Sequence, residues 1–368
     1  MRNCSKSQAE VTVGLDLGDK HCNLHVLDAA GDTIEESRVK TTTEALRQRF
    51  GPMPPSLIAL EAGTHCHWIS RLLLDCGHEV LVANPRQLCV IYQNHKKSDK
   101  ADAEYLARLA RSDPKLLQPI RLREPGARLD LAVVRARDSL VGARTKLINH
   151  LRGVSKSFGA RIPRHSSATF HRHAPESMPP ELRSILSGVL ESLEKITTEI
   201  QKYDKVIEKQ LSKKYPQTEI LRQVKGIGAI TALAFILIID DPVRFKQSRT
   251  VGAYLGLTPK KSDSGESEPQ LRISKRGDAL LRRLLVGSAQ YILGPFGEDC
   301  DLRRFGAALA QRGGKNAKKR AVVAVARKLA TLLHRLWLTG EVYEPLRQAD
   351  RKRRVAARIG PPAQGAGR

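Results

Sequence analysis

Residues 11 to 110 predict an α/β domain built on a mixed sheet, and two observations carry that expectation. Three strand-like runs, "VTVGLDLG", "HCNLHVLDAAG" and "DTIEESRVK", follow one another across short turns. Helix-like and strand-like runs then alternate as "TTEALRQRF", "SLIALEAG", "HWISRLLLDCG", "EVLVANP" and "DKADAEYLARLARS". Strands at hairpin spacing followed by helix–strand alternation put antiparallel and parallel pairs into one sheet. Beyond residue 124 the apolar period changes to that of helices.

The order β-β-β-α-β-α-β-α over residues 10–124 is that of the ribonuclease-H-like (RuvC-like) fold. Residues 125–216 read as a helical, coiled-coil connector. Leu129, Leu131, Val134, Leu140, Val141, Leu147 and Leu151 form an apolar stripe over 125–158. From Glu181 to Lys214, Leu182, Ile185, Leu186, Val189, Leu193, Ile196, Ile200, Tyr203, Ile207 and Leu211 recur three or four apart. The second helix needs a partner, either the first as an antiparallel hairpin or another protomer as a coiled coil. Between them, prolines, serines and histidines predict a loop over 159–180, with His165, His171 and His173 in solvent. Residues 217–340 form a mainly α, basic C-terminal domain. Residues 341–368 form a disordered tail, whose stretch from Arg351 holds six basic and no acidic residues.

The 368 residues are 41% hydrophobic, enough for two or three packed domains. Lysine and arginine number 63 against 38 acids, a net charge of +25. Such a field calls for a polyanionic partner, with nucleic acid first. The basic residues are spread through the C-terminal half, unlike a juxtamembrane block, so no membrane is expected as partner. Six cysteines without a C-x-x-C pair, and no signal-peptide-like start, predict a reduced, cytoplasmic, bacterial-type protein associated with the nucleoid.

Acids mark the first candidate site. Asp16 ends the first strand in "VGLDLGDKH", and Glu61 ends another in "SLIALEAG". An aspartate before glycine at a strand end also opens sugar kinases and ATPases of the actin type, but no second glycine-rich phosphate loop follows a strand here. Asp99 and Asp102 in "KKSDKADAEYLARLA" are three apart on one helical face. Acids at a helix start also suit the macrodipole without any catalysis. As a set, however, the four supply the hard oxygen ligands that a divalent cation takes. Two such ions would clamp the attacking and leaving oxygens of a phosphodiester. His65, Cys66 and His67 have no metal-ligand spacing and read as packing or surface residues.

Further on, Gly226 and Gly228 in "LRQVKGIGAITALAFIL" resemble the turn of a helix-hairpin-helix, where backbone N–H groups meet phosphate. A ligand-free helix–helix turn is equally consistent with the pattern, while Lys225 favours phosphate. Residues 301 to 336 carry ten basic residues against one acid, a binding face for backbone phosphates. In "TPKKSDSGESEPQLRISKRGD", Ser262 and Ser264 precede Gly265, and Lys260, Lys261, Arg272, Lys275 and Arg276 flank them. Cations around a mobile hydroxyl suit attack on DNA phosphate, and equally suit passive backbone binding.

Together, "GLDLGDKH", "ALEAG", "KSDKADAEYLARL", "VKGIGAITALAFIL", "RFKQSRTVGAYLGLTPKKSDSGES" and "ISKRGDALLRRLLVGSA" resemble the DEDD transposases of the insertion sequence 110 family, relatives of the Piv-type DNA invertases. The resemblance covers roughly residues 10 to 340. It implies that Asp16, Glu61, Asp99 and Asp102 are a tetrad binding Mg²⁺ (or Mn²⁺). It implies a serine nucleophile in a C-terminal transposase domain, placed at Ser264 by the serine-before-glycine pattern, with Ser262 as fallback. It also implies a DNA recombinase acting through a circular intermediate, guided by a structured non-coding RNA. Recombining two duplexes requires several cuts, so a homodimer or tetramer is expected. The rival readings are a metal-dependent Holliday-junction-type nuclease, a DNA invertase and a nucleic-acid-binding regulator without catalysis.

Overall fold

The computed structural model describes residues 10–85, 99–260 and 271–347. The chain forms two compact units, residues 1–123 and 124–368.

In the first unit, β1 (Thr12–Leu17), β2 (His21–Leu27) and β3 (Thr33–Lys40) precede α1 (Thr43–Phe50), β4 (Leu57–Glu61), α2 (Cys66–Asp75), β5 (Glu79–Ala83) and α3 (Asp99–Ser112). The sheet order is β3-β2-β1-β4-β5. The first three strands pair antiparallel, and β1–β4 and β4–β5 pair parallel, so the sheet is mixed, as the runs predict.

Its two faces follow from alternation along each strand. Val13, Leu15, Ile58, Leu60 and Val82 pack with Leu46 and Phe50 of α1 and Ile69 and Leu73 of α2. Ala59 and Ala83 turn the other way, against Leu106 and Ala110 of α3 and Leu117 beyond it. A strand covered on both faces is apolar at consecutive positions, which is why "LIAL" does not alternate. Gly14 admits α3 to the sheet: a Cβ there would overlap the Ala103 carbonyl oxygen.

The second unit opens with α4 (Pro125–Ser157), which packs antiparallel against α5 (Ser187–Val206). Arg137 Nε donates to Asp204 Oδ1 at 2.7 Å near one end of the hairpin. Ile148, Leu151, Leu186, Leu190 and Leu193 share a core toward the other. The helical hairpin is thus the partner of the 181–214 pattern within one chain.

Residues 159–180 depart from the expected loop. Phe170, Ala174 and Met178 are buried in that core, within two short helical turns. Nor is His171 in solvent: its side chain is 7% exposed, and burial pushes its pKa down. His165 and His173 stack with centroids 4.7 Å apart. Phe170 and Met178 are the residues that turn a polar connection into a packed tip.

The larger core gathers around α7 (Ala229–Ile239), which follows α6 (Gln217–Arg222). All of α7 except Ile230 is buried, and a helix that is apolar all round has to be enclosed. It is enclosed by α4, α6 and α8 (Ala279–Leu293), while α9 (Asp301–Gln311) and α10 (Ala317–Thr339) pack on each other and on α8. Leu131, Val134 and Ile207 belong to this same core, so the root of the hairpin is built into it. Residues 341–347 depart from the expected tail, whose remainder lies outside the described residues. Tyr343 N donates to Gln223 Oε1 at 2.8 Å, and Asp301 N to Pro345 O at 2.8 Å, tying residues 343–345 down.

Candidate functional site

Strand register and helix direction place the acids. Leu15 pairs with Leu60, so Asp16 and Glu61 stand side by side at the ends of adjacent parallel strands, about 4.8 Å apart. Asp16 faces the same way as Gly14, and Glu61 the same way as Ala59, which is the side covered by α3. Near the end of α3, Arg111 Nη1 donates to Thr12 Oγ1 at 3.4 Å and Nη2 to Ala29 O. Ala103 and Ala107 lie against Gly14. Helix α3 therefore runs antiparallel to β1 and brings its first turn, with Asp99 and Asp102, to the end where Asp16 and Glu61 sit. Asp16, Glu61 and Asp102 are half-buried, and Asp99 is exposed.

Carboxylate oxygens on one sheet face suit a hard divalent cation. Among the described residues, however, no three His, Cys, Asp or Glu form a group able to hold a metal. Asn23, paired with Asp16 across the antiparallel ladder and buried on the same face, was missed by sequence reasoning. The alternation of "HCNLHVL" carries that signal, since it sends Cys22, Leu24 and Val26 to one side and Asn23 and His25 to the other. His65 fits its expected packing role, with Trp68 Nε1 donating to its Nδ1 at 3.1 Å and its Nε2 lying 3.4 Å from Asp19 Oδ1.

In the second unit, Gly226 takes φ +93° between α6 and α7, a left-handed turn that favours glycine. A Cβ there would meet Tyr291 Cδ1 at 2.9 Å. Gly228 caps α7 in extended conformation, with open space where a side chain would be. The two glycines line a shallow depression together with Thr231, Arg283, Gly287 and Ser288. Lys225 points elsewhere, with Nζ 3.5 Å from Glu298 Oε1.

The serine loop is held tightly at its base. Lys260 N donates to Arg272 O at 3.0 Å and Ser274 N to Thr258 O at 2.9 Å, a short antiparallel bridge. Gly256 (φ +68°) and Gly277 (φ +91°) fit against the backbones of Arg276 and Tyr254, where any Cβ would overlap. Arg282 Nη1 donates to Leu255 O at 3.1 Å and Arg276 O at 3.3 Å. Asp278 Oδ1 accepts from Leu281 N at 2.9 Å, starting α8. Lys260, Arg272, Lys275 and Arg276 are exposed around this base. Ser262, Ser264 and Lys261 lie outside the described residues. Arg282 and Asp278 are clamp residues that the composition of the loop does not single out.

The basic stretch 301–336 divides by use. Arg303 donates to Ile292 O at 2.7 Å and Gly294 O at 2.6 Å, and Arg304 to Asp299 Oδ2 at 2.5 Å. Lys328 Nζ sits 3.8 Å from the Phe305 ring centroid. Arg335 Nη2 also lies 3.5 Å from Glu341 Oε2, so several of the ten cations are engaged in internal contacts, while Lys315, Lys318 and Lys319 are exposed.

Known proteins share both halves of this pattern. A family model described as transposase IS116/IS110/IS902 family matches residues 218–296, and the DEDD model for IS110, described as transposase, matches residues 13–158. The putative transposase y4pF/y4sB of Sinorhizobium fredii is 31% identical over 92% of this chain and 86% of its own length. The transposase for insertion sequence element IS1111A of Coxiella burnetii is 28% identical over 90% of each chain. The pilin gene-inverting protein of Moraxella lacunata is 29% identical over 32% of this chain and 35% of its own.

Proposed function

The chain belongs to the IS116/IS110/IS902 family of insertion-sequence transposases, and from that premise we propose that it cuts and rejoins DNA using a carboxylate-held divalent cation in the first unit and a serine in the second. The observation that carries the reading is the arrival of Asp16, Glu61 and Asp102 at one end of one sheet face, in a strand order compatible with the ribonuclease-H-like fold.

In this reading Asp16, Glu61 and Asp102 hold Mg²⁺ or Mn²⁺, and Asp99 closes the set from the exposed turn of α3. When bound, the cation offsets charge gathering on a phosphodiester under attack. Asn23 orients the Asp16 carboxylate. Ser264, with Ser262 as fallback, attacks phosphorus: a serine–phosphate ester forms as a deoxyribose O–P bond breaks, and the serine proton passes to the departing oxygen. Rejoining reverses the exchange with a hydroxyl from another end. Lys260, Arg272, Lys275 and Arg276 at the loop base neutralise neighbouring phosphates. The N–H groups of the Gly226–Gly228 turn hold backbone more remotely. A structured guide RNA and a dimer or tetramer complete the reading. They rest on the sequence resemblance, on the +25 charge and on the number of cuts that two duplexes need. No helix among the described residues is long and apolar enough to cross a membrane.

The test is a denaturing gel of purified protein on nicked, labelled element-end DNA. Wild type and Ser262→Ala leave a covalent protein–DNA band, and Ser264→Ala leaves none. A band from Ser264→Ala but not from Ser262→Ala moves the role to Ser262. A band from the double variant removes the serine mechanism. The similarity to a gene-inverting protein supports a second reading, DNA inversion. Products from a substrate carrying two inverted ends separate the two, since inversion conserves the circle and transposition excises a segment.

A further inference from the structure

Immediately before the loop clamp lies a surface that the proposed reaction does not use. After α7 the chain turns at Asp240 (φ +66°), and Pro242–Arg244 form one 3-10 turn with Asp241 Oδ1 accepting from Val243 N at 2.9 Å. The fully buried His334 on α10 pins this turn twice. Its Nε2 donates to Pro242 O at 2.9 Å, leaving Nδ1 to accept from Ser248 Oγ at 2.9 Å. Phe245 packs edge-on against His334 and Tyr254, with centroids 5.4 and 5.3 Å apart. Upon this scaffold lies Arg244, whose guanidinium carbon is 4.7 Å from the Phe245 centroid and 4.6 Å from that of Tyr254.

Arg244 is exposed, as are Lys246 and Arg249, and no acid occurs between Pro242 and Lys260. Several other cations in this unit pair with carboxylates: Arg135 with Asp278, Arg222 with Glu208, Arg283 with Asp138 and Arg304 with Asp299. Among the described residues, Arg244, Lys246 and Arg249 have no such partner. A guanidinium stacked on two rings has already lost much of its rotamer freedom while its N–H fork stays available, the state that suits bidentate binding of phosphate. Tyr254 continues directly into the clamp, where its carbonyl lies against Gly277.

We propose that Arg244, held on Phe245 and Tyr254 and joined by Lys246 and Arg249, grips the phosphate backbone of the DNA strand entering the serine loop. The choice of DNA rests on the function proposed above. The rings are half-buried and serve as scaffold, so the grip is on backbone and independent of base sequence.

Fluorescence anisotropy with a labelled DNA duplex across a salt series tests this, with melting temperature read alongside. Arg244→Ala should weaken binding about 5–20-fold at low salt on any sequence and reduce the salt slope by about one. Arg244→Lys should keep the slope and lose part of the affinity, because lysine supplies a point charge without the fork. Should Arg244→Ala not fold, Arg249→Ala carries the same expectation of slope. Lys195→Ala on α5 should bind as wild type. DNA binding unchanged in the folded Arg244 and Arg249 variants overturns the proposal, as does a loss confined to an RNA hairpin of equal length. Ser264→Ala should bind DNA at full strength, so failure of the serine mechanism and failure of this grip appear in different assays.

Discussion

At the acidic end of the sheet, Asp16 and Glu61 ride on paired strands and Asp102 on a helix pressed against them, so each side chain is aimed by a regular element. At the serine loop, the chain on either side of residues 261–270 is gripped by a two-residue bridge, two left-handed glycines and the Arg282 side chain. The first region fixes its chemistry by period and register. The second fixes only the roots of its chemistry. In the reaction proposed above this contrast would have a use: carboxylates holding a cation would need constant spacing, whereas a serine would have to reach a phosphorus atom that arrives with the DNA.

The largest expected effect tests the rigid side. Asp16→Asn keeps size and hydrogen bonding while removing one negative ligand, and strand cleavage should fall about 1,000-fold, equivalent to several kcal/mol of lost charge stabilisation. Divalent-cation titration followed by melting temperature should lose its upward shift in the same variant. Cleavage at wild-type rate with Asn at position 16 would leave the sheet as scaffold alone.

This asymmetry also governs what could be read from the amino acids. The element order, the mixed sheet and the helical hairpin follow from periods of two and 3.6, which are local and visible. That Asp16 and Glu61 end strands and Asp102 lies in the first turn of a helix was legible because strand ends and helix starts are legible. Asn23 was hidden until register paired it with Asp16. The tip of the hairpin was misread because Phe170 and Met178 stand isolated among prolines and histidines, and only tertiary packing shows that they are core. Arg282 gave no sign of its clamp role because its partners, the carbonyls of Leu255 and Arg276, are backbone atoms brought close by the fold.

A paired substitution of intermediate size sharpens the contrast. Gly14→Ala and Gly277→Ala each place a methyl group on a neighbouring backbone, and Gly277 also sits at φ +91°. Overpacking and left-handed strain each cost about 1–3 kcal/mol, so both variants should melt earlier by several degrees. Their losses should differ in kind. Gly14→Ala pushes α3 off β1 and should abolish the cation-dependent thermal shift. Gly277→Ala should retain that shift and lose the covalent DNA adduct. If both variants lose both signals, the two regions are not separately supported.

The smallest effect concerns pH. Burial holds the His334 imidazole neutral and lowers its pKa, although its bond to the Pro242 carbonyl acts in the opposite direction. The unfolded chain therefore takes up a proton at this histidine, with a pKa near 6.5, before the folded chain does. The stabilisation is fully present above that pKa and is lost as pH falls below it toward the folded value, with a slope of at most about 1.4 kcal/mol per pH unit. His334→Gln can still donate to Pro242 O and does not titrate, so its stability should fall less than that of wild type between pH 7 and pH 5. Because His334 pins the turn that carries Arg244 and runs on to the clamp, acid should weaken DNA binding in wild type more than in His334→Gln. Equal pH profiles for the two proteins would mean that protonation at His334 does not couple to the loop side, leaving its clamp dependent on glycines and backbone bonds alone.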